Sequence, residues 1–120
     1  MESHYQISFY VPDKQCQQVK QAMFDAGAGI LGNYQECSWQ TLGQGQFKPL
    51  DGSQPFLGNK DMLEIVTEYK VEMLCTEKNI KPVIQALKSS HPYELPAYNV
   101  IKLENTQGYK RFLRGFSIRH

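Results

Sequence analysis

Apolar and polar residues alternate from His4 to Val11, with Tyr5, Ile7, Phe9 and Val11 on one side. A period of two over this length predicts a half-buried strand. Pro12-Asp13 closes it, and Asp13 is placed to cap a helix. From Lys14 to Ala26 the apolar positions are Cys16, Val19, Ala22, Met23 and Ala26, the spacing of one helical face. Gly27 stands where a C′ glycine ends such a helix. Tyr34 to Phe47 reads as a second strand, and Gly43 and Gly45 predict a bulge or bend in its far half. Pro49, Gly52, Pro55 and Gly58 make Lys48 to Lys60 a loop. The third strand, Leu63 to Cys75, has Leu63, Ile65, Tyr69, Val71, Met73 and Cys75 on one side. Glu64, Glu68, Lys70 and Glu72 take the other, an apolar-in, charged-out pattern. Thr76 is placed to cap a second helix, whose stripe is Ile80, Val83, Ile84 and Leu87. Pro82 must then lie in the first turn, and Pro92 stops the helix near His91. Ala97 to Leu103 is the last strand.

The order β-α-β-β-α-β, in two similar halves, predicts an α+β, ferredoxin-like domain. Its sheet is four-stranded and antiparallel, with both helices on one face. The charged side of the third strand then faces water or a polar partner. In this plan the second and fourth strands form the edges. The second carries one charge, Glu36, and an edge so poorly defended is a template for pairing with another subunit.

Composition adds little beyond one domain. A chain of 120 residues can bury one core, and we set the domain at 1–107 with a basic extension at 108–120. The extension holds Lys110, Arg111, Arg114 and Arg119 and no acid, whereas nine basic and twelve acidic residues precede it. Four charges are few, so nucleic-acid binding is disfavoured. No apolar run is long enough to span a bilayer. The polar N-terminus lacks the apolar region of a secretory signal, so a cytoplasmic location without membrane association is expected. Cys16, Cys37 and Cys75 are odd in number and form no CxxC, which argues against a disulfide framework and a zinc finger. Cys16 and Cys75 fall on apolar faces and are expected to be buried.

Two corners carry the candidate chemistry. Gly27 to Tyr34 follows the first helix and is built from backbone freedom; His91 to Tyr98 follows the second and is built from proline restriction. Gly29, Gly32 and Asn33 have the makings of an anion nest. However, the segment leaves a helix C-terminus, where the dipole repels anions. His91 and Glu94 are a candidate metal or acid/base pair, with Cys37 a third member if the corners meet. Two ligands alone make an incomplete site. The structural alternative has His91 bonding a helix-terminal carbonyl and Glu94 pinning the turn. Tyr93 and Tyr98 flank the second corner and are candidate walls of a pocket. Tyr34, Trp39 and Phe47 are candidate stacking residues, or else core or interface. His4 and His120 have no local nucleophile, and no complete catalytic set is present.

The pieces GAGILGNYQECSW, GQGQFKPLDGSQPFLG, the glutamate-spaced strand and HPYELPAY match in content, order and spacing a known pattern. From about Ala26 to Leu103 the chain resembles the inserted domain of the Ngg-interacting factor three family, the dinuclear-metal-centre hexameric proteins. The resemblance implies a fold like that of the PII signal proteins and the CutA ion-tolerance proteins, and three-fold assembly like theirs. The family's metal-binding histidines, aspartate and glutamate belong to flanking halves and match nothing in this sequence, so its hydrolase role does not carry over. The second corner also departs from the family's HPYEEPAYD, with Leu95 in place of a glutamate and Asn99 in place of the aspartate. These two lost carboxylates weaken any metal role.

The expectation is a small, non-enzymatic, oligomeric binding or regulatory module of PII/CutA type. A homo-oligomer is expected, a trimer ahead of a dimer. No cofactor is expected; the sequence does not name the ligand, and a small molecule is one candidate. The ligand-binding candidates are Gly29, Gly32, Asn33, Tyr34, Cys37, His91, Tyr93, Glu94 and Tyr98. No metal is expected, with His91 and Glu94 the ligands if one binds. Two alternatives remain: a divalent-metal binder using the His91/Glu94 corner, and an enzyme with a pocket between the two corners.

Overall fold

The structure is a computed structural model and describes residues 3–104. The elements are β1 (His4–Pro12), α1 (Cys16–Asp25), β2 (Trp39–Phe47), β3 (Glu64–Thr76), α2 (Ile80–Ser90) and β4 (Tyr98–Lys102). The strands form one sheet in the order β2-β3-β1-β4, antiparallel at every pairing. The edges are β2 and β4, as the ferredoxin-like plan requires. The last described strand ends at Lys102, so the boundary at 107 and the basic extension lie outside the described residues.

One sheet face carries both helices. Ile7, Phe9 and Val11 of β1 and Val71, Met73 and Cys75 of β3 are buried against Cys16, Val19 and Met23 of α1 and Val83 and Leu87 of α2. Fully burying each large side chain contributes about 1.5–3 kcal/mol. Cys16 and Cys75 are buried in this core.

The helix ends differ in how well local sequence sets them. Each helix is entered through a short 3-10 turn, Asp13–Gln15 or Glu77–Asn79. Asp13 is therefore inside the first turn, Pro12 holds the cap position, and no side chain caps it. Thr76 does hold the equivalent position before α2, yet its hydroxyl is buried without a partner. At the end of α1, Gly27 N–H donates to Phe24 C=O and Ala28 N–H to Met23 C=O. That double bond pattern is a Schellman motif with Gly27 at C′. Pro82 is the third residue of α2, within its first turn.

Two expectations about β2 need correction. It begins at Trp39 rather than Tyr34, because the preceding residues bond among themselves. Cys37 N–H donates to Gly29 C=O, and Leu31 and Tyr34 exchange both backbone bonds around Gly32-Asn33. There is also no bulge. The register runs unbroken from Trp39↔Glu72 to Phe47↔Glu64. β1 covers β3 only from Glu68 to Thr76. The first residues of β3 therefore pair with β2 alone and project as a two-stranded arm. Leu42 and Ile65, on the helix-side face of this arm, are 56% and 61% exposed.

Candidate functional site

The two corners lie at opposite ends of the sheet. β1 and β3 are antiparallel, so the helices that follow them also run in opposite directions. Gly29 N–H bonds Leu74 C=O, near the end of β3. The second corner instead adjoins Tyr10, near the end of β1, through Tyr10 N–H to Ala97 C=O. Pseudo-symmetry thus separates the corners instead of joining them. Cys37 cannot complete a set with His91 and Glu94, and the cleft at the second corner is lined by no residue of the first.

At the first corner Gly29 is required by geometry. Its φ is +80°, and an added Cβ would meet the Phe24 ring at 2.9 Å and Cys37 N at 3.0 Å. Gly32 (φ +55°) and Asn33 form the centre of a two-residue turn closed by the Leu31–Tyr34 pair, so their backbone serves a hairpin. Tyr34 is exposed. Burial raises the Cys37 thiol above its ordinary 9.0, which opposes thiolate chemistry.

At the second corner His91 is a strut. The sheet pairing continued past Phe9↔Tyr98 sets Tyr10 opposite Ala97. Tyr10 donates to Ala97 C=O, and the His91 ring reaches the Tyr10 carbonyl at 2.6 Å through Nε2. Tyr93 N–H donates to His91 Nδ1 at 3.1 Å. A carbonyl only accepts and an amide N–H only donates, so the ring is neutral with its proton on Nε2. Burial lowers its pKa from 6.5, and the Tyr10 carbonyl works against that. The partner carbonyl belongs to a strand rather than to the helix terminus expected from sequence. Both nitrogens are engaged, and neither is free for a metal. Among the described residues no three His, Cys, Asp or Glu side chains cluster as a metal site.

Glu94 acts at a distance from its own turn. Its Oε1 accepts from Gln54 N–H at 3.2 Å, which ties the 48–60 loop to the corner. The loop is closed on itself by Asp61 N–H to Pro49 C=O at 2.6 Å and by an exposed Lys60–Asp51 ion pair. Tyr93 lies between these parts, with ring centroids 6.1 Å from Phe47, 6.4 Å from Phe56 and 5.0 Å from His91.

These contacts enclose a cleft of about 540 Å³. Tyr10 contributes from β1, Phe47, Val66 and Glu68 from the arm, Pro55 and Phe56 from the loop, and Tyr93, Glu94 and Leu95 from the corner. The volume is that of a small-molecule site. Glu68 lies over β2 at Gly45, where any Cβ would collide with its carboxylate. Burial raises the Glu68 carboxyl above its ordinary 4.5, opposed by the neighbouring Tyr93 hydroxyl. Tyr93 is pushed up to about 12, by burial first and then by Glu68. Its hydroxyl is buried without a partner of regular hydrogen-bond geometry, so Glu68 acts on it mainly through charge.

Of the residues expected at a site, the cleft gathers Tyr93 and Glu94, with His91 behind Tyr93. Phe47 joins them. Tyr98 does not, since it packs on the core at the helix side with Lys88 Nζ 5.8 Å from its ring centre. Trp39 is also outside, its indole N–H bonded to Thr41 Oγ1 at 3.0 Å. Tyr10, Phe56 and Glu68 were not legible as site residues. The bare Gly43 and Gly45 beside the glutamate-bearing strand were the available signal.

The sheet order and the one-sided helices make this an α+β, ferredoxin-like domain of the CutA kind. CutA from Synechococcus elongatus PCC7942 superposes with a TM-score of 0.63 at 21% identity, covering 96% of this chain and 90% of that one. Sequence relatedness points to a second group. A GTP cyclohydrolase 1 type 2 homolog of Halalkalibacterium halodurans is 43% identical over 104 residues, 87% of this chain and 28% of that protein. The structure of a Bacillus cereus protein related to NIF3 matches at 35% identity with a TM-score of 0.74, over 87% of this chain and 26% of that one. The chain is thus a relative of one segment of the NIF3-type proteins, and it spans 28% of the first of these relatives. No family model matches the sequence. No helix among the described residues is long and apolar enough to cross a membrane.

Proposed function

We propose that this domain is a non-enzymatic, oligomeric binding or regulatory module of the cytoplasm that takes a small molecule in the cleft beside Tyr93. The observation that carries the reading is the cleft itself. Three separate parts of the chain converge on Tyr93, and Glu94 ties the loop to the corner. The word cyclohydrolase describes relatives of which this chain spans 30% or less, and local chemistry favours binding. His91 has both nitrogens committed, and Cys37 is at the other end of the sheet. Neither arrangement offers a nucleophile with its base.

The oligomer, for which we favour a trimer, is supported by the arm and the edge. β2 carries no charged residue from Trp39 to Phe47, and Trp39, Leu42, Leu63 and Ile65 are each more than half exposed. Such an edge and apolar surface suit subunit contact. Native mass spectrometry of the full chain tests both parts, giving subunit count and any retained ligand. A trimer that becomes monomeric in the Leu42→Ser/Ile65→Ser variant is the expected result. A monomeric wild type at micromolar concentration refutes the assembly. The ligand part fails if no small molecule is retained and none of a metabolite library shifts the melting temperature.

A further inference from the structure

We infer that the cleft takes an organic cation, a protonated amine carried on a small apolar or aromatic body. The inference rests on reading the cleft as a ligand site and names its ligand class. Glu68 stands half-buried on the arm side, and Glu94 is exposed at the corner. Among the described residues no lysine, arginine or histidine lines the cleft. Among the described residues the ion pairs are Lys60–Asp51 and Lys70–Glu72, so neither cleft carboxylate has a cationic partner there. Glu94 uses one oxygen on Gln54 N–H. The carboxylates are therefore uncompensated charges beside an apolar wall, where the effective dielectric is below that of water.

The walls suit the same ligand. The rings of Phe47, Phe56 and Tyr93 are tilted to one another at 52–58° around Tyr93. Aromatic faces attract ammonium groups through their quadrupoles and take up apolar bodies equally well. The Tyr93 hydroxyl, buried beside Glu68, supplies a further acceptor. Gly45 matters because only a glycine leaves room for Glu68 to lie in this position. An anionic ligand would meet two carboxylates and, among the described residues, no side chain of opposite charge. The elevated Glu68 pKa agrees with a carboxylate lacking its counter-ion.

The test is isothermal titration calorimetry of the full chain in phosphate buffer at pH 7.5 with three isosteric probes. These are phenethylammonium, 2-phenylethanol and phenylacetate. Phenethylammonium is expected to bind at least about tenfold more tightly than the other two, the scale of a charge-assisted hydrogen bond. Glu68→Gln is expected to remove most of that preference. Phe56→Ala is expected to weaken every probe that binds, which locates binding in the cleft. Melting curves of both variants confirm that they fold. Equal or tighter binding of phenylacetate or 2-phenylethanol overturns the cation assignment while leaving the cleft a ligand site. Phenethylammonium binding unchanged by Glu68→Gln overturns it too. No heat with any probe overturns the cation assignment, and the metabolite-library melting screen then decides the cleft itself.

Discussion

Replacing His91 with alanine tests whether the residue is a strut or a reactive group. In the native fold its ring accepts from Tyr93 N–H at 3.1 Å and donates to Tyr10 C=O at 2.6 Å. The side chain is only 6% exposed. Alanine leaves one part-buried donor and one part-buried acceptor without partners, each costing about 1–3 kcal/mol. The sum, roughly 2–6 kcal/mol, is a large share of the ~5–15 kcal/mol typical of a domain. At about 4 °C per kcal/mol for a chain of this size, the melting temperature should fall by roughly 8–24 °C. The pH dependence supplies the sharper test. The native fold holds His91 below its ordinary 6.5, so under pH 6.5 the unfolded chain takes a proton that the native state resists. The stability His91 contributes is complete above 6.5 and declines as pH falls through the folded value. Urea unfolding at pH 8 and pH 5 should therefore show a wild-type advantage that shrinks in acid. His4 and His120 are common to both proteins and cancel. An advantage that grows in acid would falsify the neutral-strut assignment, because it requires a charged, paired imidazole in the fold.

Two further perturbations probe neighbouring features. Glu68→Gln should stabilise the fold at pH 7 by on the order of a few tenths of a kcal/mol, with solvent screening keeping the gain small. The raised Glu68 pKa places its favourable contribution below 4.5 and loses it as pH rises, so the gain should vanish in urea titrations at pH 4 and below. Gly29→Ala combines a φ of +80° with a Cβ pressed on the Phe24 ring, and should cost roughly 2–4 kcal/mol. A midpoint shift under about 0.5 kcal/mol in chemical denaturation would show that the first corner relaxes freely.

What was legible in the sequence was local. Period-two alternation and two helical stripes set the order of elements, the edge strands and the buried face. Pro82 and Gly27 placed a helix start and a helix end because each acts within one turn. The start of β2 was not legible, since Gly29 to Cys37 have alternatives to the ladder that only the turn at Gly32-Asn33 decides. The separation of the corners was available from topology alone: antiparallel parent strands force the two helix C-termini apart. Glu68 looked like a solvated position because alternation tells which face a residue takes and not what folds over it. The covering loop arrives through Glu94 and Gln54, forty residues apart in sequence.

The projecting arm has a mechanical consequence. Phe47, Val66 and Glu68 ride on the arm or at its root, whereas Tyr93, Glu94 and Tyr10 belong to the body. The two sides of the cleft thus sit on different parts of the fold, joined along β3 and by the Glu94–Gln54 contact. If a subunit contact on the arm changes the width of the cleft, a molecule bridging the cleft must favour that contact by the same free energy.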